Sequence, residues 1–319
     1  MNVETLFNQL YSNGALLVLW GALLLHLILP FPREAHPAIL WHKFAEQLAD
    51  KVNTNSSYSQ SMLSGTLAML LMTLPMLALL IALKPLVWQA QLFDLALLLL
   101  AIDWRNINKF TNQFVLALAR EDKEHAKMLL TPIVNRSTRS LSLMGLGKAG
   151  AETLIMSYGR NVVAVLFWYA LAGGMGAFLY RMTVELARAW SPSRKRFSPF
   201  GVPVIRLVAI LDYVPLRLFA LMIAIGGRNR EVFALLKSQA NTWPLPGPAW
   251  LLVSVGAKQQ LSLGGPAMYD GSKAVRSKLG GRIAPSAIHI AQVQRLLAWR
   301  MFAWIVLQSV IMVAIYQGI

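Results

Sequence analysis

Long apolar stretches, separated by short charged or turn-forming segments, dominate the pattern of this chain. Four of them approach the roughly 20 apolar residues that a helix needs to cross a bilayer. They lie near 15–31, 62–83, 86–102 and 301–316. Two further apolar runs, 162–180 and 202–225, are interrupted by glycines or charges and are ambiguous. The pattern predicts an all-α integral membrane protein that forms one polytopic domain over residues 1–319.

The distribution of basic residues decides how the ambiguous runs are interpreted. Nine Lys and Arg residues lie in 104–160, and the loop that follows 162–180 is basic as well. Because basic loops stay on the cytoplasmic side, a single crossing at 162–180 would place these regions on opposite sides. We therefore expect about four full spans, both termini outside, and two re-entrant or half-buried helices; six spans are the alternative. Gly173, Gly174 and Gly176 would permit the break or close packing that this requires.

The remaining segments are amphipathic or basic. Apolar residues recur at helical spacing from Ile107 to Leu118, which predicts an amphipathic helix over 106–130. We expect the whole of 104–160 to be a cytoplasmic helical region. The segment 228–298 is predicted to be a second, basic cytoplasmic region.

Composition supports a membrane protein and narrows its partners. The chain is 56% hydrophobic and 14% charged, with a mean hydropathy of +0.51. Its net charge of +16 fits either nucleic-acid binding or cytoplasmic loops, and the position of Lys and Arg between apolar runs favours the loops. We expect contact with the lipid bilayer, no nucleic acid, and a multi-pass location in a bacterial inner membrane with cytoplasmic basic loops. The absence of cysteine excludes disulfides and thiolate metal sites.

The run 202–225 carries the most unusual charges of the chain. Arg206, Asp212 and Arg217 lie inside it, and a charge at membrane depth costs about 3 kcal/mol or more, so such residues are usually functional. Anion binding by the two arginines is one interpretation, and pairing with Asp212 inside the bundle is the other. Asp94 also lies in an apolar run; a hydrogen bond within the bundle is the favoured interpretation, and a proton or ion site is the alternative.

Two short motifs elsewhere carry groups that bind anions. Arg136 and Thr138 combine a guanidinium with a hydroxyl, which suits a phosphate, although a solvated helix cap has the same composition. Gly264 and Gly265 begin a glycine-rich loop that continues to Tyr269. Glycines let backbone N–H groups approach an anion, but they also form ordinary turns.

Taken together and in order, these motifs resemble the CobD/CbiB family of membrane proteins. The matching features are His36-Pro37, Ile133-Val134 with Arg136 and Thr138, Glu152-Thr153, Phe167-Trp168, Arg181, Gly201, Arg206, Tyr213–Leu218, Leu263–Pro266 and Tyr269. The resemblance implies a step of cobalamin biosynthesis in which adenosylcobyric acid is joined to an aminopropanol phosphate through an amide bond. It also implies ATP and magnesium as cofactors and a corrinoid as ligand.

The departures from the family pattern remove acidic residues. They include Val208 and Ala209 where the family has an Asp pair, and Arg160-Asn161 where it has Asp-Gly. One departure goes the other way, since the chain has Asp212 where the family has Asn. Because magnesium takes carboxylate oxygens and substrate phosphates as ligands, we predict no metal site. An arginine-rich face without acids still suits an anion such as a phosphate, a nucleotide or a lipid headgroup.

These arguments give two sets of candidate site residues. The anion-binding set is His36, Arg136, Thr138, Arg181, Arg206, Tyr213, Arg217, Gly264, Gly265 and Tyr269. In a divergent synthase, Glu152, Glu185 and Asp212 would replace the lost acids, and only then are ATP, magnesium and a corrinoid implied. The alternative is a non-catalytic membrane protein, similar to the AmpE family, that binds a corrinoid or other anionic molecule, a protein partner or a second copy of itself. A transporter is the third possibility.

Overall fold

The computed structural model describes residues 14–29, 36–53 and 57–316, and this part of the chain is almost entirely helical. The α-helices are α1 (Gly14–Ile28), α2 (Pro37–Val52), α3 (Tyr58–Leu83), α4 (Ala90–Ala101), α5 (Trp104–Ala119), α6 (Lys123–Leu130), α7 (Leu143–Tyr158), α8 (Ala164–Ala189), α9 (Val202–Ala224), α10 (Asn229–Gln239), α11 (Pro246–Lys258) and α12 (Ala287–Tyr316). A π-helical turn, Gly159–Val163, joins α7 to α8. The predicted all-α class is confirmed.

Four short strands fill the glycine-rich region between α11 and α12. They are β1 (Ser262–Gly264), β2 (Ala267–Tyr269), β3 (Ser272–Ala274) and β4 (Lys278–Gly280). β1 pairs with β4 and β2 with β3, both antiparallel. The segment predicted as a glycine-rich loop is therefore a pair of small hairpin-like ladders.

Four apolar helical stretches in the described residues are long enough, by length and composition, to cross a membrane. They are Tyr58–Leu86, Leu143–Ala189, Val202–Ala224 and Ala287–Ile315. The predicted number of about four spans agrees with this count, and the predicted spans 62–83 and 301–316 lie in α3 and α12. The other two stretches contain 162–180 and most of 202–225, the runs that were predicted not to cross. Within the described residues, the other two predicted spans form helices of 15 and 12 residues, α1 and α4. Residues 30–31 of the predicted span 15–31 lie outside the described residues. The predicted span 86–102 is shortened at both ends. A 3-10 turn at Lys84–Leu86 precedes α4, and the backbone is extended at Ile102, directly after α4.

The apolar run 162–180 turns back on itself at Ala172 and Gly173. Both residues leave the helical region of backbone conformation, with φ of −137° and +62°. The two arms lie side by side, since the Arg181 guanidinium donates to the side-chain carbonyl of Asn161. A straight helix would separate these residues, 20 positions apart, by about 30 Å. The run therefore forms a helical hairpin, as a re-entrant course requires. The placement of its two basic flanks on one side of a membrane stays a prediction.

Asp94 stabilises this reversal. One of its carboxylate oxygens accepts a hydrogen bond from the Gly174 N–H at 3.0 Å, where the returning arm of α8 begins. A Cβ at Gly174 would lie 2.6 Å from the Asp94 Cα, so only glycine fits here. The structure therefore supports the hydrogen-bonding interpretation of Asp94.

Helix α9 is half-buried, and both of its flanks contact the basic segment 228–298. Before its start, the Lys195 N–H donates to the Asp270 carboxylate at 3.0 Å. At its end, the Lys258 ammonium donates to the Ile225 carbonyl at 2.9 Å. Between these contacts α9 packs along α11, and 44% of its apolar window is buried. The helix is thus partly buried in the protein, but it is also long and apolar enough to cross a membrane. The non-crossing course predicted for 202–225 stays a prediction.

The predicted amphipathic helix over 106–130 is present but divided. Residues Arg120–Asp122 separate α5 from α6, with Glu121 at a φ of +55°. Phe110 and Phe114 face the core and stack with ring centroids 5.2 Å apart. The apolar face of α5 thereby packs against α7 and α12.

Candidate functional site

A polar cleft of about 400 Å³ lies where the loop before α7, the α7–α8 junction, the end of α8 and the segment 243–276 meet. Its charged and hydrogen-bonding lining consists of Asn135, Arg136, Glu152, Thr153, Ser157, Arg160, Asn161, Glu185, Arg188, Ser191, Ser193, Trp243, Tyr269 and Arg276. Four arginines face only two carboxylates in this lining. We call this site the arginine cleft.

The Glu152 carboxylate connects three residues, Gly264, Arg276 and Arg136, on one wall of the arginine cleft. One carboxylate oxygen accepts the Gly264 N–H at 2.9 Å. The other lies 3.3 Å from Nη1 of Arg276 and 3.7 Å from Nη2 of Arg136. Burial lowers the pKa of Arg136, while the nearby Glu152 carboxylate opposes that shift. Glu152 therefore positions two arginines, and both of its oxygens are engaged.

The glycines of this wall serve its backbone. Gly264 has a φ of +71°, and a Cβ there would lie 2.2 Å from the Ser277 carbonyl oxygen. The Gly265 N–H donates to the same carbonyl at 3.0 Å, and the Gly265 carbonyl accepts from Nε of Arg276. The N–H groups of both glycines are thus occupied by the protein itself. Of the two interpretations of these glycines, an anion site and an ordinary turn, the structure therefore favours the turn.

A buried ion pair connects the cleft to α9. Nε and Nη2 of Arg160 lie 2.8 and 2.7 Å from one carboxylate oxygen of Asp212. The Tyr180 hydroxyl donates to the other oxygen at 2.7 Å, and Asp212 is fully buried. The two residues depart from the family pattern at separate places in the sequence, and here they neutralise each other. Asp212 is not part of the cleft lining.

Glu185 is also paired. Nη2 of Arg181 lies 2.8 Å from one of its oxygens, and Nε2 of His42 lies 2.9 Å from the other. Arg181 also reaches Asp103, at 3.8 Å, and Asn161. Arg181 thus joins the two arms of α8, and it contacts two residues of the cleft without being one of its lining residues.

Arg188 differs from the other arginines of the cleft. Its Nη2 donates to the carbonyl oxygens of Pro132 and Ile133 at 2.7 and 3.0 Å, which holds the loop before α7 against α8. Within the described residues it has no carboxylate within 4.0 Å. Arg276 also retains an unused donor, since its Nη2 is buried and has no hydrogen-bond partner among those residues. The charge of Arg188 and the free Nη2 donor of Arg276 are therefore available to an anionic ligand in the cleft.

Two of the predicted site residues serve local structure outside the cleft. His36 caps the start of α2: its Nδ1 accepts the Ala38 N–H at 3.1 Å, and its Nε2 lies 2.9 Å from the Leu100 carbonyl oxygen. Thr138 is buried, and its hydroxyl lies 2.7 Å from that of Thr131. Neither is a lining residue.

The arginines that made 202–225 conspicuous also lie outside the cleft. Arg206 is exposed. The Arg217 guanidinium stacks on two aromatic rings, 3.8 Å from the centroid of Tyr213 and 4.9 Å from that of Trp250. Neither is the ion-pair partner of Asp212. Of the predicted anion-binding residues, the structure places Arg136 and Tyr269 in the cleft lining.

Three arginines of the cleft were missed as ligand-binding residues: Arg160, Arg188 and Arg276. Arg160 had a detectable signal, since it replaces an acid of the family pattern. The other two belong to basic segments whose charge was attributed to topology. Only the reversal of α8 and the folding of β1–β4 against α7 bring them together.

The donor set of the arginine cleft does not fit a magnesium ion. Its two carboxylates each engage a guanidinium, and no group of three or more His, Asp or Glu that could hold a metal occurs within the described residues. Magnesium prefers hard oxygen ligands in near-octahedral geometry. To serve as ligands, Glu152 and Glu185 would have to release the arginines that they position.

The fold and the cleft define a multi-helix membrane protein with a helical hairpin in α8 and a basic site beside it. The model of the CobD/Cbib protein family matches residues 19–298, and the chain belongs to that family. A Cobalamin biosynthesis protein CobD of Stutzerimonas stutzeri is 33% identical over 274 residues, which cover 85% of this chain and 89% of the relative. The protein of the same name from Chromobacterium violaceum is 32% identical over 209 residues, covering 66% and 67%. No solved structure matches this chain.

Proposed function

We propose that this CobD/CbiB-family membrane protein binds a phosphorylated small molecule of cobalamin biosynthesis in the arginine cleft. The observation that carries the proposal is the imbalance of charge in the cleft. Arg188 has no carboxylate partner in the described part of the chain, and Nη2 of Arg276 has no partner at all there. A phosphate offers the negative charge that Arg188 lacks and an oxygen acceptor for Nη2 of Arg276.

The size of the cleft favours a small phosphate over a whole corrinoid. A volume of about 400 Å³ lies at the lower end of ordinary small-molecule sites. An aminopropanol phosphate fits such a space, whereas a corrin macrocycle would extend far outside it. Trp243, Leu245 and Leu252 supply an apolar wall for the carbon part of such a ligand.

We further propose that the chain does not carry out magnesium-dependent amide formation. Both carboxylates of the cleft position arginines, and the third candidate acid, Asp212, is fully buried in an ion pair. The positions at which the resemblance implies an Asp pair hold Val208 and Ala209, and Val208 packs in the core. Family membership supports a place in cobalamin biosynthesis, and this residue chemistry supports binding without turnover.

Thermal unfolding of the detergent-purified protein tests the binding proposal. Aminopropanol phosphate should raise the unfolding temperature, and aminopropanol without the phosphate should not, because ligands stabilise the state that they bind. Equal shifts with both compounds, or no shift with either, would contradict phosphate binding in the cleft.

A separate assay tests the absence of turnover. The protein is incubated with adenosylcobyric acid, aminopropanol phosphate, ATP and magnesium, and the Cobalamin biosynthesis protein CobD of Stutzerimonas stutzeri serves as the positive control. We expect product from the relative and none above the protein-free background from this chain. Product formation that is lost in Glu152→Gln would instead establish a divergent synthase.

A further inference from the structure

A second basic groove lies away from the arginine cleft, beside the point where α12 becomes apolar. Its volume is about 520 Å³. The residues that line it are Gln259, Gln292, Arg295, Leu296, Trp299, Arg300 and Ala303. We call it the interfacial groove.

Two apolar helices end at the level of this groove. Nη2 of Arg300 donates to the Ile225 carbonyl oxygen at 2.8 Å, just beyond the end of α9. Arg300 itself directly precedes the apolar segment 301–316 of α12. Both helices therefore change from apolar to basic sequence at one level, which is where a bilayer meets water.

The positive charge at this level is not compensated by the protein. Lys258 donates to the same Ile225 carbonyl at 2.9 Å, so its ammonium and the Arg300 guanidinium share one acceptor. Burial lowers the pKa of Lys258, and the charge of Arg300 lowers it further. Among the described residues, neither these two cations nor Arg295 has a carboxylate within 4.0 Å. Glu231, on the neighbouring α10, accepts from the Gln260 side chain.

An exposed apolar stripe continues from the groove along α12. It follows the helical spacing of Arg295 and consists of Trp299, Phe302, Val306 and Val310, which are 65%, 52%, 41% and 59% exposed. An exposed tryptophan at the boundary, followed by apolar side chains on the same face, is typical of a surface that lies against lipid.

We infer that the interfacial groove binds an anionic phospholipid. The headgroup phosphate lies between Arg295 and Arg300, Trp299 lies at the glycerol level, and one acyl chain follows Phe302, Val306 and Val310. Cationic pockets beside membrane helices bind acidic headgroups through this combination of charge and depth. The site is separate from the arginine cleft, so it stands independently of the function proposed for that cleft.

Native mass spectrometry of the full chain, delipidated in detergent, tests this inference. The probes are phosphatidylglycerol and phosphatidylcholine with identical acyl chains. We expect preferential retention of phosphatidylglycerol, and roughly a fivefold weaker affinity for it in Arg295→Gln, since one arginine near the surface contributes about that factor. Trp299→Ala should weaken the binding of both lipids, because it removes a contact that does not depend on headgroup charge.

Arg206→Gln is the matched control, because Arg206 is an exposed arginine roughly 28 Å along α9 from Ile225. It should leave lipid retention unchanged. Equal retention of the two lipids by the unaltered protein would overturn the inference, and so would equal losses in Arg206→Gln and Arg295→Gln. Glycerol phosphate at matched concentration should not displace the lipid; complete displacement would assign the groove to free phosphates instead.

Discussion

Arg160 donates a hydrogen bond of 2.8 Å from Nε to a carboxylate oxygen of Asp212, and its Nη2 forms an ion pair with the same oxygen at 2.7 Å. The acid has no exposed surface, and its other oxygen accepts the Tyr180 hydroxyl at 2.7 Å. The contact joins the α7–α8 junction, which lines the arginine cleft, to α9 outside it. A buried acid with this set of donors is a structural element of the fold, and its charge is already satisfied.

Breaking this pair should destabilise the protein strongly. Asp212→Leu leaves the Arg160 guanidinium without its counter-charge, and removing one partner of a buried pair costs about 3–5 kcal/mol. The free energy of unfolding in detergent measures the change. The double variant Arg160→Met with Asp212→Leu should recover most of the loss, because both charges are then absent.

The matched control for this prediction is Glu124→Gln. Glu124 pairs with Lys127 at 2.8 Å, but its side chain is 81% exposed, and such surface pairs contribute less than about 1 kcal/mol. If Asp212→Leu costs no more than this control, the buried pair does not hold the cleft to α9.

The reversal of α8 depends on a glycine that faces Asp94. In Gly174→Ala the new Cβ would lie 2.6 Å from the Asp94 Cα and 2.7 Å from its carbonyl oxygen. Overpacking against backbone costs about 1–3 kcal/mol, so the unfolding temperature should fall clearly. Gly227→Ala is the control, since no atom lies within 4 Å of a Cβ there. Equal effects of the two substitutions would show that α4 does not pack this closely on α8.

Ligand binding in the arginine cleft should depend on Arg188 more than on the conspicuous arginines of α9. Arg188→Gln keeps a side chain that can donate to the Pro132 carbonyl but removes the unpaired charge. We expect this variant to bind aminopropanol phosphate with about tenfold lower affinity, because a hydrogen bond to a charged group contributes about 1.5–3 kcal/mol. Arg217→Gln should leave that affinity unchanged. Titration calorimetry of both variants measures the difference, and a larger loss in Arg217→Gln would refute the assignment.

The orientation proposed for the chain places its basic loops in the cytoplasm. Because the sequence has no cysteine, a single engineered one reports its own location. Lys195→Cys should react in intact spheroplasts with a membrane-permeant maleimide only. Trp88→Cys, at a 97% exposed position between α3 and α4, should also react with an impermeant reagent. The reverse labelling pattern would invert the topology.

Much of the fold is predictable from the sequence because it follows local rules. The apolar runs of α3 and α12, the amphipathic face of α5 and the break at Gly173 all follow from the period and composition of short segments. The conflict between basic flanks also predicted that 162–180 does not run as one straight helix, because charge distribution restricts which segments cross a membrane. The division of 106–130 at Glu121 was missed, since its composition does not interrupt the helical pattern.

The candidate site was less predictable because its residues come from distant parts of the chain. Arg136, Glu152 and Tyr269 were identified through a resemblance, whereas Arg188 and Arg276 had no local signal. Arg206 and Arg217 were conspicuous as charges in an apolar run, but the half-buried course of α9 lets one be exposed and the other stack on aromatic rings. A charge in an apolar sequence shows that a partner or water is needed, not which one.

The sequence by itself determined the class of protein, the apolar helices, the break at Gly173 and the family, because each depends on composition, periodicity or the order of short motifs. Only the tertiary structure decided which charges are paired. Asp212 and Arg160 are 52 residues apart, and Glu152 and Arg276 are 124 apart. Whether an acid binds a ligand or an arginine depends on distances of a few ångströms between such segments, and chain packing sets those distances.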